Sequence, residues 1–108
     1  MNIDWEAVLQ KAFFAARDAA AKNAPQVEHY LREIAAAHEY AIRSLARALG
    51  DSDIDLDTFK SEMDDEAAML AAELHVVAVM GKAVAQRAAN AFRDALADAV
   101  VMAMKLAV

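Results

Sequence analysis

The sequence predicts an all-α fold, and three observations carry that expectation. Alanine supplies 29 of the 108 residues, the chain has only two glycines and one proline, and apolar residues recur at three- and four-residue steps along most of its length. Alanine is the strongest helix former, and that recurrence is the signature of one buried face on a helix. No Asn-Gly or Asp-Gly step separates alternating runs, so the chemistry that makes hairpins and sheets is missing. A chain of this length makes one domain, with a radius of gyration of about 13 Å. Residues 1–108 are therefore read as a single helical domain, with helices at about 4–22, 26–49 and 57–106.

The first helix is expected to start at Asp4, whose carboxylate can cap the free amides of the first turn, with Ile3 and Val8 placed as a hydrophobic staple. Trp5, Leu9, Ala12, Phe13, Ala16 and Ala20 then form its apolar face, through about Lys22. Pro25 cannot donate to a helical ladder and pushes Ala24 away from helical angles, so a turn or a sharp kink is expected at Asn23–Pro25. A second helix follows, its seam reading Val27, Leu31, Ile34, His38, Ala41, Leu45 and Ala48. Gly50 stands where a left-handed terminus is expected, and Asp51 to Asp57 is the main turn. The third helix begins at Asp55 or Asp57, with Ile54 and Phe59 as a staple for the first choice, and no proline interrupts it before the end.

A helix of about 50 residues would span roughly 75 Å, more than twice the width of a compact chain of this size. Three arrangements are open. A long antiparallel hairpin would set Pro25 level with Gly81 or Lys82. A three-helix arrangement would reverse the chain at Pro25 and leave a long carboxy-terminal helix, with Gly81 as the place for a bend. The third arrangement is a monomeric four-helix up-down bundle, ranked last because Val79-Met80-Gly81-Lys82-Ala83 offers no turn residue besides glycine. The first two leave an apolar stripe uncovered, so completion by oligomerisation is expected. The interface would comprise Met63, Leu70, Leu74, Val77, Gly81, Val84, Ala88, Phe92, Leu96 and Ala103.

Net charge is −6 and is unevenly placed. Residues 51–73 hold nine acids against Lys60 alone, whereas residues 1–50 balance six acids with six bases. An acidic field of this kind argues against a nucleic-acid partner. The absence of cysteine excludes disulfides, thiolate metal sites and a cysteine nucleophile. The run from Leu74 to Ala85 contains His75 and Lys82 and is too short to cross a bilayer. The opening MNIDWEAVLQ lacks the basic start and apolar run of a signal peptide, so cytoplasmic localisation is expected.

The sharpest candidate for chemistry is the acidic stretch 51–62. Asp51, Asp53, Asp55 and Glu62 fall at positions 1, 3, 5 and 12 of a twelve-residue loop, with Asp57 also present, as calcium-binding loops require. Leu56 occupies the position where such loops carry a glycine, and the competing reading is an acidic turn that caps the next helix. His29 and His75, near Glu28, Glu33 and Glu73, suggest a loose zinc or proton site, or else two solvated histidines. His38 lies on the second seam, where a satisfied core histidine or a register-setting polar residue outweighs a catalytic base. Glu-x-x-His pairs, nucleophile turns and phosphate loops are absent from the sequence, so no enzyme is expected. The segment 92–108, with Arg93 and Lys105, could instead lie on a membrane surface, though Asp94 and Asp98 weaken that reading.

The stretch EAAMLAAELHVVAVMGKAVAQRAANAFRDALADAVVMAMKLAV, residues 66–108, follows a short amphipathic half and an acidic turn. In length and layout the chain resembles the uncharacterised small all-helical proteins of tailed bacteriophages and prophages. That resemblance implies a bacterial or phage-infected host cell and no activity assignable to a residue. The expected function is a non-enzymatic, homo-oligomeric helical assembly or interaction protein. The alternatives are a calcium-responsive regulator using the 51–62 loop and a membrane-surface helical protein.

Overall fold

The structure is a computed structural model that describes residues 3–106. Four helices account for nearly all of them: α1 (Trp5–Ala19), α2 (Ala24–Gly50), α3 (Leu56–Val77) and α4 (Lys82–Leu106), with a 3₁₀ turn at Ala21–Asn23 between the first two. The fold is all-α, as predicted, in the four-helix arrangement that the sequence ranked last. Each helix packs on its two neighbours in a ring, α1 on α2, α2 on α3, α3 on α4 and α4 back on α1. Cross-links at Arg17–Glu28, His38–Glu66 and Arg93–Asp64 run between successive antiparallel helices. The radius of gyration is 13.5 Å and the extents are 41 × 22 × 19 Å.

Both predicted start signals operate. The Asp4 carboxylate accepts from the Ala7 amide at 3.2 Å, and that of Asp55 accepts from the Thr58 amide at 2.7 Å. Ile54, which precedes the second cap, is half-buried, and Phe59, four residues into α3, is fully buried, as a staple requires. Pro25 sits in the first turn of α2, where its missing N–H would have no partner in any case. The chain therefore reverses before Pro25 instead of kinking at it.

The helix expected over 57–106 is two helices, and this is the main correction. After α3, Ala78 retains right-handed angles, but Val79 has φ 51°, and the chain turns back into α4. Gly81, the residue expected to allow a bend, has no positive φ. The first two reversals follow the same rule: Ala21 (φ 50°) follows α1, and Ser52 (φ 61°) follows α2. At Ser52 the pattern is a complete Schellman motif. The Asp53 amide donates to the Ala48 carbonyl at 2.8 Å and the Ser52 amide to that of Leu49 at 3.1 Å. Gly50, expected to be left-handed, is the last residue of α2 itself.

A left-handed backbone at a non-glycine residue is strained by about 1–3 kcal/mol, and a β-branched side chain is the least suited to it. Val79→Gly is thus expected to raise stability by about 1 kcal/mol, the strain relief outweighing the entropy of a glycine in the unfolded chain. A methyl group added at Gly81 meets nothing within 4 Å, so Gly81→Ala is also expected to stabilise, by about 0.4–1 kcal/mol. Thermal melts of the two variants check both; a glycine at 79 that lowers the midpoint would show that no strain is held there.

The reversal at 78–81 changes what covers the apolar seam. Met63, Leu70, Leu74, Ala88, Phe92 and Leu96, expected at an interface with another copy, are buried within the single chain, and Val84 and Ala103 are half-buried. Val77 and Gly81 are exposed at the turn. On α2 the predicted seam holds through Val27, Leu31 and Ile34, then moves one residue on, to Ile42, Ala46 and Leu49. A straight helix repeats every 3.6 residues, so a strict heptad slips by about 20° per repeat and by its third repeat has left the core face. The apolar face of α4 carries Phe92, Leu96 and Val100 into the core. Among the described residues no helix is long and apolar enough to cross a membrane.

Candidate functional site

Every fully buried side chain among the described residues is apolar, so the polar groups lie at the seams, outer faces and ends of the bundle. One seam stands out. His38 projects from α2 at a core-facing position, and α3 presents Glu66 and Glu73 seven residues apart, two turns along the same face. The ring lies between them: Nδ1 is 2.9 Å from Oε2 of Glu66, and Nε2 is 2.9 Å from Oε1 of Glu73. The His38 and Glu66 side chains are 13% and 12% exposed, whereas Glu73 is 43% exposed and closes the site on its solvent side.

Each ring nitrogen facing a carboxylate imposes a protonation state. An imidazolium has two N–H donors, one for each glutamate; a neutral ring has one donor and turns a lone pair towards the other carboxylate. Burial by itself lowers the pKa of His38, but its hydrogen bonds to the Glu73 and Glu66 carboxylates and their charges outweigh it, and the pKa stands above the ordinary 6.5. The two nitrogens point in opposite directions, so the three groups cannot converge on a single ion.

The acidic stretch 51–62 forms the turn before α3 and supplies that helix's cap. Leu56, at the position where glycine would make the sharp turn, is instead the first residue of α3, and it carries Asp57 and Glu62 onto the helix. Asp55 is committed to the first turn, where hydrogen bonding from Thr58 lowers its pKa. Asp51 and Asp53 remain exposed in the turn. Among the described residues no group of three or more His, Asp or Glu side chains is gathered as a metal ion requires. His29 and His75 are likewise engaged apart from one another. His29 is edge-on to Tyr30, with ring centroids 4.6 Å apart, and His75 Nδ1 is 2.7 Å from the Met80 carbonyl, which ties the last reversal to α3.

No protein-family model, curated protein or solved structure matches this chain. The reading of its surface therefore rests on geometry. Besides the histidine seam, the second unusual feature is the end of the bundle formed by the last reversal. Val76 and Val79 are 72% and 84% exposed, and Val77 is half-exposed beside them. Residue spacing on the assumption of a continuous helix had placed Val77 and Gly81 on a seam and gave no sign of a valine held out to solvent in a left-handed turn. Glu66 and Glu73 were missed as partners of His38 for a related reason. Their seven-residue spacing is visible in the sequence, but the register that brings them level with residue 38 depends on where α2 and α3 reverse.

Proposed function

We propose that the protein is a non-enzymatic helical assembly module that binds further copies of itself through its Val76–Val79 end, in a bacterial or phage-infected cell. The observation that carries this reading is the presence of three exposed valines within four residues at a reversal, one of them in a backbone conformation that valine disfavours. Strain and exposed apolar surface at the same place point to a contact surface. The part-buried cluster of His38, Glu66 and Glu73 joins two helices.

Charge indicates which surface of the next copy is met. Lys22 and Lys82 lie at the valine end, in the first and third reversals; Asp51, Asp53, Asp55 and Asp57 lie at the opposite end, around the second. Two valine ends face to face would bring the lysines of both copies together, whereas valine end against acidic end pairs opposite charges. Such a head-to-tail contact leaves a free valine end and a free acidic end on every pair, so further copies can add. Light scattering at low ionic strength is therefore expected to give a mass that climbs steadily with protein concentration. The doubly substituted Val76→Lys, Val79→Asn chain, in which asparagine tolerates the left-handed turn, is expected to keep the mass of one chain with unchanged helicity. A wild-type mass of one chain at every concentration would falsify the reading.

A further inference from the structure

We propose that His38, Glu66 and Glu73 form a proton-dependent lock, which holds α2 against α3 while the ring is charged and slackens when the ring is neutral. The inference is independent of self-association. It rests on a count of donors: two carboxylates at 2.9 Å, one on each ring nitrogen, are both satisfied only by the imidazolium. Deprotonation leaves one hydrogen bond and sets a lone pair against the second carboxylate, in a seam where water has limited access.

The surroundings leave the lock to these three groups. One turn to either side on α2 lie Ile34 and Ile42, both buried. On α1 the stretch level with His38 lies between the Gln10–Arg32 and Trp5–Arg43 contacts; its charged group there, Glu6, is exposed, as is Lys11 just beyond it. On α4, Arg93 is held by Asp64 and Asp94, and Asp98 is exposed. From α3, Glu66 and Glu73 are the carboxylates that act on the ring.

The sign of the effect follows from linkage. Because the folded ring holds its proton more tightly than the unfolded one, its contribution is complete below 6.5, the ordinary value, and is lost as the pH rises through the folded midpoint. The window thus begins near neutrality and extends upward, in the range a histidine can sense.

Three measurements on the full chain test this. The ring proton resonances of His38 are followed by NMR through a pH titration of the wild type; the midpoint is expected above 6.5. Glu73→Gln and Glu66→Gln are each expected to lower it. Finally, the melting temperature of the wild type is compared with that of His38→Gln. The gap between them is expected to shrink from about pH 6 to about pH 9, by roughly 4–8 °C for each unit that the folded midpoint lies above the unfolded one. A wild-type midpoint at or below 6.5, a midpoint unmoved by both glutamine variants, or a melting gap constant with pH overturns the proposal. The wild-type titration requires no variant to fold, so the test stands even if a substitution disrupts the bundle.

Discussion

Phe92→Ala is expected to remove about 3–5 kcal/mol of stability, a large part of the roughly 5–15 kcal/mol that holds a natural domain together. Phe92 is fully buried, and its ring centroid lies 5.4 Å from that of Phe13 on α1, tilted by 41°. The guanidinium of Arg32, from α2, lies 4.5 Å from the centroid of the Phe13 ring. One phenylalanine thus anchors a stack that joins three helices, and truncating it leaves a cavity which the rigid alanine faces around it cannot fill. Urea denaturation checks this: the midpoint should fall sharply while the slope is kept. Phe92→Leu, which restores most of the lost volume, should recover much of the loss. A midpoint for the alanine variant close to that of the wild type would mean that the stack contributes little.

The second large effect comes from adding volume. Ala12 and Ala16 on α1, Ala20 at its carboxy-terminal cap, and Ala85, Ala88 and Ala89 on α4 are at most 1% exposed, and the two helices pack directly on one another. Alanine here serves as a spacer: with only a methyl group on each facing position, the two backbones can approach closely. Ala88→Leu forces them apart or drives the new side chain off its rotamer, at a cost of about 1–3 kcal/mol or more. Ala83→Leu, at an exposed position on the same helix, is expected to change stability by less than about 0.5 kcal/mol. Comparing the two separates overpacking from helix propensity, which the same substitution perturbs equally. If both variants melted alike, the alanine face would not be a close contact.

The sequence made local features legible wherever a single residue type decides them. Asp4 and Asp55 can be read as caps because a carboxylate at a helix start meets free amides in any tertiary setting. Phe59 can be read as a staple, and the first half of the α2 seam as a buried face. What was not legible was the third reversal. Length alone argued against one helix from 57 to 106, yet turn chemistry gave no site for the break except Gly81. The chain reverses instead around Val79, a residue whose propensity speaks against it. Tertiary packing overrode local preference there, because burying Met63, Leu70 and Leu74 together with Phe92 and Leu96 outweighs one strained dihedral. That single misplaced break also turned residues of the chain's own core into an expected interface. The partners of His38 were hidden for a different reason: a carboxylate–histidine pairing between helices has no sequence pattern until the register is known, and the register is set by the turns.

The three left-handed residues have a kinetic meaning as well. Ala21, Ser52 and Val79 follow their helices into a conformation that none of them favours alone, so the reversals are imposed by docking of the helices they join and do not nucleate it. Strain of that kind is absent from a transition state in which the turn has yet to close, and is felt only by the finished bundle. Relieving it at residue 79 should therefore leave the rate of folding nearly unchanged and slow the rate of unfolding. The lifetime of the folded chain, more than the speed of its formation, is what its unusual turns determine.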